Sequence, residues 1–294
     1  MGIIISVFEE GIIYAIMALG IYITYKILDF PDLTVDGSFP LGAAVTVALI
    51  TRDVNPYVTL LISFAAGVIA GICTGLIHVK LNVRDLLSGI IMMTALYTIN
   101  LEIAGKANVP IFTRETIFDN DLVNRIFPEF LKDYKKLIII VIVALISKIL
   151  LDLYLKTKSG YLLRGVGDNS ILVTCLAKDS GVVKILGLAI ANGLVALSGS
   201  VMSQNQRYFD ATTGTGTMVI GLASVIIGIN LFKNMTVIKA TTAVIIGSII
   251  YKACVAAAIQ IGISATSLKL ITAVLFLIIL VISRDRKKKV KANA

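Results

Sequence analysis

The run PYVTLLISFAAGVIAGICTGLI occupies residues 56–77 and carries no charged side chain. At a rise of 1.5 Å per residue, an α-helix of this length extends about 33 Å, which exceeds the roughly 30 Å of a bilayer's hydrocarbon core. The rest of the chain has the same character, because hydrophobic residues make up 57% of its 294 residues and charged residues only 15%. A soluble domain carries about 25% charged residues. The sequence therefore predicts an all-α integral membrane protein.

Apolar runs recur on both sides of this segment and predict about nine transmembrane helices, within a range of roughly eight to ten. They lie at roughly 4–27, 38–51, 56–77, 84–103, 136–155, 181–204, 216–232, 236–258 and 266–283. The second and the seventh are short, so we expect two interrupted or shortened helices. No polar block between the runs is large enough to fold separately, and residues 1–294 are expected to form a single transmembrane domain.

Positive charge is concentrated at two places that predict the orientation of the chain. The last apolar run is followed by Arg284, Arg286, Lys287, Lys288, Lys289 and Lys291. The loop at 156–180 adds Lys156, Lys158, Arg164 and Lys178. Because Lys and Arg accumulate in cytoplasmic loops, we expect the C-terminus and this loop in the cytoplasm, with the N-terminus and residues 104–135 outside. The net charge of +9 therefore reflects topology and not nucleic-acid binding, while a contact of the tail with anionic membrane lipid stays open.

The two halves of the chain are similar to each other at an offset of 179 residues. This offset pairs Phe30 with Phe209, Thr34 with Thr213, Gly37 with Gly216, Ser38 with Thr217 and Gly42 with Gly221. It also carries the first four spans onto the last four, and one span at 136–155 lies between them. An odd spacer reverses the second half, so the sequence predicts an inverted repeat with halves at about 4–103 and 181–283. The alternative is a chance similarity between two loops rich in Gly and Thr.

In both halves a polar stretch, at 29–38 and at 205–217, leads into a short apolar helix. Irregular backbone at membrane depth is tolerated where protein or a water-filled cavity satisfies it, and paired interrupted segments indicate a translocation path. The candidate path residues are Thr34, Asp36, Ser38, Thr213, Thr215 and Thr217, with Asn192 and Asn230 from later spans. The alternative reading is that the stretches are ordinary interfacial loops capping short helices, and that Asn192 serves helix packing among small residues.

Residues for catalysis or metal binding are missing from the sequence. His78 is the only histidine, and Cys73, Cys175 and Cys254 form no paired motif. The phosphate-binding motif G-x-x-x-x-G-K-[ST] is also absent. We therefore expect no enzyme, no metal and no cofactor, and any ATP that drives transport must be hydrolysed by another subunit.

The predicted cytoplasmic loop reads KTKSGYLLRGVGDNSILVTCLAKDSG over residues 156–181. A residue near Asp168 can cap a short amphipathic helix that presents Leu172 and Leu176 on one face. Two readings fit this helix equally. It either docks into a groove of a partner subunit or lies on the membrane surface.

At this loop the chain resembles a known family. The segments SGYLLRGVGDN at 159–169, LGLAIANGLVALSGSVMSQ at 186–204 and MVIGLASVIIG at 218–228 resemble permeases of the branched-chain amino acid and ribose/simple-sugar ABC importer family. The resemblance implies a coupling loop that meets the ATPase and contains Gly160, Arg164, Gly167, Asp168 and Asn169. It also implies the other components of such an importer: two cytoplasmic ATP-binding subunits, an extracytoplasmic solute-binding lipoprotein and a second copy of the permease in a bacterial cell membrane.

Two segments point within this family to a particular subgroup. DLTVDGSF at 32–39 and GLASVIIG at 221–228 look more like permeases associated with the aromatic amino acids tryptophan or tyrosine. Branched-chain members usually show an Asn-Phe-Ala-His-Gly-like stretch where this chain has the acidic FPDLTVDGSFPLGAA. An ion-coupled secondary transporter with inverted repeats is the alternative function. It would need no ATPase, but the spans offer few mid-membrane carboxylates for ion coupling.

Overall fold

The computed structural model describes residues 2–126, 134–168, 179–233, 235, 238–260, 270, 272–274, 276–278 and 281. The helices with defined bounds are α1 (Gly2–Ile21), α2 (Val35–Ile50), α3 (Pro56–Lys80), α4 (Asp85–Ala104), α5 (Asp121–Ile126), α6 (Lys135–Tyr154), α7 (Lys158–Asp168), α8 (Ser180–Gln206), α9 (Thr217–Leu231) and α10 (Ala240–Gln260). A π-helical segment, Tyr22–Ile27, prolongs α1, and a 3₁₀ turn, Ala211–Gly214, precedes α9. Two short strands, β1 (Asn108–Pro110) and β2 (Tyr208–Asp210), pair antiparallel.

Within the described part of the chain, seven helical segments are long and apolar enough to cross a membrane. The protein is therefore a multi-pass, all-α membrane protein. Eight of the predicted spans coincide with these helices and with the shorter α2, within four residues at either end. The ninth prediction, 266–283, lies mostly outside the described residues.

Local signals in the sequence explain where several helices begin and end. The Asn55 side chain accepts a hydrogen bond from the Tyr57 N–H at 2.9 Å, and Pro56 occupies the first position of α3. Asp179 caps α8 in the same way through the Gly181 N–H. Gly105 ends α4 with a φ of 77°, a conformation that glycine adopts without steric cost.

Helix α8 lies at the centre of the bundle. In the apolar stretch of α8, 78% of the residues are buried, whereas in that of α6 only 22% are buried. Glycines on neighbouring helices allow this close packing, because a Cβ on Gly42, Gly67 or Gly71 would collide with a backbone carbonyl oxygen of α8. Small residues at such contacts let helix backbones approach closely, as expected for helix packing in a membrane.

The bundle has two ends that we name by the elements they carry. At the α7 end, Gly167 packs against the backbone of Ile27, and both Leu28 and Leu163 contact Gly187 near the start of α8. At the β end, β1 and β2 pair, and Arg207 donates to Asp119 in the segment before α5. Helix α8 joins these ends, since it begins beside α7 and finishes at β2.

Helices α2 and α9 both begin inside the bundle. Ser38 in the first turn of α2 contacts Asn192, which lies twelve residues beyond Ser180 and so about 18 Å along α8. From there α2 runs towards the β end, where Thr46 contacts Ser200. The turn before α9 packs on the same place, because Gly214 lies against the backbone of Asp36.

From this starting point α9 runs in the opposite direction to α2. Gly221 packs on Ile21 near the end of α1, and Gly228 packs on the backbone of Ala243 near the start of α10. The start of α10 lies at the α7 end, because Thr241 donates to Asp152 close to the end of α6. The short predicted segments 38–51 and 216–232 therefore correspond to two helices that each occupy only part of the bundle's depth.

The helix α7 differs from the sequence expectation. A polar loop was expected up to about residue 168, with a short helix after it, but residues 158–168 are helical. Gly160, Leu163 and Val166 recur every three residues and are buried, so one helical face of this glycine-containing segment packs on the bundle. The expected helix through Leu172 and Leu176 lies outside the described residues.

Candidate functional site

The start of α9 is capped by a side chain from α2. Gly216 at the N-cap position has no side chain of its own, and its φ is 89°. The Asp36 carboxylate accepts hydrogen bonds from the Gly216 N–H at 3.0 Å, the Thr217 hydroxyl at 3.0 Å and the Met218 N–H at 2.7 Å. A helix start has unpaired N–H groups and a partial positive charge, so an anion is stabilised there.

A buried polar network lies next to this cap. The Ser38 hydroxyl donates to the Asn192 side-chain oxygen at 2.7 Å, and the Asn192 amide donates to Asp32 at 2.8 Å. The Thr34 N–H donates to the other oxygen of Asp32 at 2.9 Å, and the Thr34 and Thr74 hydroxyls are 2.9 Å apart. The network joins α2, α3 and α8 near the middle of the bundle.

A second group of buried hydroxyls lies further along α2, towards the β end. Thr46 contacts both Ser63 on α3 and Ser200 on α8, and all three side chains are fully buried. Sequence reasoning missed this group. The sequence signal for this group was a matching spacing on two helices. Ser38 and Thr46 lie eight residues apart on α2, and Asn192 and Ser200 lie eight residues apart on α8. Each pair therefore shares a face of its helix.

The structure brings together most of the candidate path residues. Thr34, Asp36, Ser38, Asn192 and Thr217 belong to the cap or to the adjoining network. Thr213 and Thr215 lie on the approach to α9, where Thr213 is partly buried and Thr215 is exposed. Asn230 is separate from this group, because it lies next to the last residue of α9.

A charged contact between α1 and α10 connects to the same region. Lys252 on α10 is 2.9 Å from Glu10, and its ammonium lies 4.0 Å from the ring centroid of Tyr14. The Tyr14 ring stacks on Phe39 of α2 at a centroid distance of 5.8 Å. A cation above an aromatic face is attracted by the ring, so this contact ties α10 and α1 to the first turn of α2.

The coupling candidates lie at the α7 end. Arg164 and Asp168 are exposed on α7, whereas Gly160 is buried and packs so closely that a Cβ would collide with the backbone of Tyr154 and Leu155. The close approach of Gly167 to Ile27 fixes α7 against the end of α1. The remaining candidates lie outside the described residues: Asn169, Leu172 and Leu176.

The exposed polar surface of the β end carries an ion pair. The Arg207 guanidinium donates to Asp119 at 2.7 Å and is the main reason that the pKa of this carboxyl lies below its usual 3.8. Lys135 lies 3.8 Å from the same carboxyl and has the same effect. A polar cavity of about 310 Å³ adjoins the pair and is also lined by Arg114, Glu115 and Asn124. Among the described residues, no cluster of His, Cys, Asp and Glu is arranged to hold a metal ion.

Comparison with known proteins gives this architecture a family. Residues 3–283 match the family described as branched-chain amino acid transport system / permease component. The chain belongs to this permease family. The tyrosine transport system permease protein of Clostridioides difficile (strain R20291) is 45% identical over 291 residues, which are 99% of this chain and 95% of that protein. An uncharacterized protein of Rickettsia prowazekii (strain Madrid E) is 32% identical over 283 residues, 95% of this chain and 96% of that protein. No solved structure matches the chain.

Family membership decides between the two functions that the sequence left open. The permease is the membrane component of an ABC transporter for amino acids and is not itself an enzyme. Permeases of this family act with an ATPase and a solute-binding protein. The ion-coupled secondary transporter is therefore set aside.

Proposed function

We propose that this permease forms the membrane path of an importer for aromatic amino acids, with tyrosine as the first candidate substrate. The substrate is suggested by the permease of Clostridioides difficile, whose name specifies tyrosine transport and which is 45% identical over nearly the whole chain. The acidic stretch FPDLTVDGSFPLGAA at 30–44 points the same way, because branched-chain members differ there.

The meeting point of α2 and α9 is the observation that carries the proposal of a path. Both helices begin near the middle of the bundle, and Asp36 joins them through three hydrogen bonds. Discontinuous helices whose starts converge at mid-depth are a recurrent way of building solute sites in transporters. The path residues are Thr34, Asp36, Ser38, Thr213, Thr215, Thr217 and Asn192, with Asn230 further along towards the α7 end.

The same geometry supports an inverted repeat within one permease domain of residues 1–294. From their shared starting point, α2 runs to the β end and α9 to the α7 end, as two inverted copies of one element would. The proposed halves are residues 4–103 and 181–283, with nine spans in total and α6 as the single span between the halves. Movement of one half against the other would open the path alternately to each side.

The α7 end is the proposed contact for the ATPase. Its coupling segment at 156–180 contains Gly160, Arg164, Gly167, Asp168, Asn169, Leu172 and Leu176. Gly160 and Gly167 let α7 pack tightly on the bundle, so a displacement of α7 by the ATPase would be transmitted to the end of α1. Arg164 is exposed and suits an acidic groove of a partner.

The distribution of charge supports an orientation with the α7 end in the cytoplasm. Lys80, Arg84, Lys156 and Lys158 surround this end, and a basic tail follows residue 283. The N-terminus and the β end then face outward, where the solute-binding lipoprotein docks. A second copy of the permease completes the assembly in the bacterial cell membrane.

Reconstitution tests the function and the substrate separately. The permease is placed in liposomes with its ATPase and solute-binding protein, and uptake of labelled tyrosine, tryptophan and leucine is measured. ATP-dependent uptake that favours tyrosine is expected. Preferred uptake of leucine would overturn the substrate, and uptake that needs an ion gradient but no ATPase would overturn the importer.

A pull-down tests the coupling surface. The substitution Arg164→Glu is expected to remove the ATPase from the purified permease, because it reverses the charge of an exposed α7 residue. Leu172→Asp tests the apolar face in the same way. Arg125→Glu is the matched control, since Arg125 is exposed in α5, on the segment that belongs to the β end. Equal recovery of the ATPase with all variants would contradict the proposed contact.

A further inference from the structure

Two carboxyl groups lie four residues apart before and within α2, in different surroundings. Asp36 is partly exposed and accepts three hydrogen bonds at the start of α9. Asp32 is 1% exposed and accepts two, from the Thr34 N–H and from the Asn192 amide. The first carboxyl therefore has the stronger support for a negative charge.

Among the residues that the structure describes, the groups that hydrogen-bond to Asp32 are neutral. Asn192 divides its amide hydrogens between Asp32 and the Leu188 carbonyl oxygen, and its own oxygen accepts from Ser38. Thr34 offers its backbone N–H and also its hydroxyl, which in addition lies 2.9 Å from the Thr74 hydroxyl on α3. Asp32 takes part in none of the ion pairs found among the described residues.

The charged and titratable groups on the neighbouring elements have other partners, although His78 also packs edge-on against Phe30, two residues before Asp32, at a ring-centroid distance of 5.1 Å. His78 on α3 and Lys184 on α8 lie towards the α7 end, and their side-chain nitrogens are 3.5 Å apart. His78 is also bonded to the Val83 carbonyl oxygen at 2.9 Å. On α4 the nearest acidic residue to this region is Asp85, one turn before Gly89, which packs on Leu33.

A fully buried carboxylate without a countercharge is unfavourable in a protein interior and more so within a membrane. The start of α2 offers Asp32 one N–H group, whereas the start of α9 offers Asp36 two N–H groups and a hydroxyl. A neutral Asp32 avoids the cost of a buried charge.

We propose that Asp32 is a proton-binding site in the interior of the membrane domain, held as a neutral carboxylic acid. A neutral acid still accepts the hydrogen bonds from the Thr34 N–H and the Asn192 amide, and its own O–H donates to the Thr34 hydroxyl oxygen, so it links the segment before α2 to α8 without burying a charge. The proposal does not depend on which solute the permease carries.

Infrared spectroscopy of the full-length permease tests this protonation state. Spectra are recorded at neutral pH for the parent, for Asp32→Asn and for the matched variant Asp36→Asn. The carbonyl stretch of a protonated carboxylic acid is expected in the parent and in Asp36→Asn, and it is expected to disappear in Asp32→Asn. Its absence from the parent, or its survival in Asp32→Asn, overturns the proposal. If Asp32→Asn does not fold, the parent labelled with carboxyl-¹³C aspartate still gives the first of these answers.

Thermal unfolding distinguishes a bound proton from a bound metal cation. Asp32→Asn replaces a neutral acid by a neutral amide of similar shape, so its unfolding midpoint is expected to stay near that of the parent in both sodium and potassium buffers. Asp36→Asn is expected to lower the midpoint in both. A sodium-dependent rise in the midpoint of the parent that is lost in Asp32→Asn would identify a cation site and overturn the proposal.

Discussion

At the scale of single residues, Asp36 has the most consequential position in the described part of the chain. It lies in the first turn of α2, yet all three of its hydrogen-bond donors belong to the start of α9. Gly216 gives α9 the backbone conformation that begins the helix but no capping side chain. One side chain from the first half of the chain therefore completes a helix of the second half.

Removing the charge of Asp36 is expected to weaken the contact between α2 and the start of α9. An N-cap contributes about 1 kcal/mol, and a favourable charge at a helix start contributes a further 0.3–1 kcal/mol or so. Because asparagine keeps a capping oxygen and loses only the charge, we expect Asp36→Asn to lower the free energy of unfolding by about 0.3–1 kcal/mol, measured by thermal unfolding in a mild detergent. Glu115→Gln, at an exposed position outside any helix, is the control and should leave the midpoint unchanged. Equal midpoints for both variants would show that the cap does not hold α9.

The contact between Asp119 and Arg207 makes a small, pH-dependent contribution at the β end. The folded state lowers the pKa of Asp119 below its usual 3.8, chiefly through the hydrogen bond from Arg207. Stabilisation is therefore present above about pH 4 and is lost as the pH falls through the folded pKa. Because half of the Asp119 side chain is exposed, solvent screens the pair and the effect is small.

This pH dependence can be measured by comparing the parent with Asp119→Asn. The parent is expected to have the higher unfolding midpoint at pH 6, and the difference is expected to shrink as the pH falls below about 4, because the carboxyl of the unfolded chain is protonated first and that of the folded chain follows at lower pH. A difference that stays constant over this range would mean that the charge of Asp119 does not stabilise the segment.

At the scale of elements, the bundle depends on backbone contacts around α8. Gly67 and Gly71 of α3 and Gly42 of α2 leave no space for a Cβ, because carbonyl oxygens of α8 occupy it. The close approach brings Thr46, Ser63 and Ser200 within hydrogen-bonding distance, since hydroxyl groups reach only a short way from the backbone. Small residues and buried hydroxyls therefore act together in this packing.

Enlarging one of these glycines is expected to separate the helices. Gly67→Leu would place a side chain against the Asn192 carbonyl oxygen and the Ala196 methyl group. Overpacking of a core typically costs about 1–3 kcal/mol, and contact with backbone puts this site at the upper end of that range. Ala65→Leu is the control on the exposed face of the same helix. Size-exclusion profiles and unfolding midpoints should change for the first variant and not for the second.

At the scale of the whole molecule, the two ends of the bundle differ in composition. The α7 end carries Lys80, Arg84, Lys156 and Lys158, whereas basic groups at the β end are balanced by acids such as Asp53, Glu115 and Asp119. Such an asymmetry sets orientation during insertion, because positively charged loops remain in the cytoplasm. Both proposed docking surfaces, for the ATPase and for the binding protein, follow from it.

Labelling from one side of the membrane tests this orientation. Cys73, Cys175 and Cys254 are replaced by Ser, and a single cysteine is introduced as Asp121→Cys at the β end or Lys158→Cys at the α7 end. In intact cells a membrane-impermeant thiol reagent is expected to label position 121, whereas position 158 should react only after permeabilisation. The reverse pattern would place the α7 end outside and remove it as a contact for a cytoplasmic ATPase.

Much of the architecture was predictable from the sequence because a transmembrane helix is a local property. An uninterrupted apolar run such as 56–77 must satisfy its own backbone hydrogen bonds in lipid, so its length and composition decide its structure. Helix α7 was not predicted, because its formation depends on tertiary contacts and not on local composition alone. Its Gly160 and Gly167 disfavour an isolated helix, and only packing on the bundle makes them useful there.

The sequence by itself determined the membrane class and eight of the helices, including the two short ones, together with the candidates Asp36, Ser38 and Asn192. Only the tertiary structure decided that α2 and α9 begin side by side, and that Asp36 caps α9 while Asp32 lies buried beside Asn192. The bonds that decide this join residues 154 to 182 positions apart, from Ser38 to Asn192 and from Asp36 to Met218. Local sequence patterns cannot predict contacts between residues so far apart. Such contacts depend on which helices pack together, and the glycines of the bundle determine which helices can approach closely.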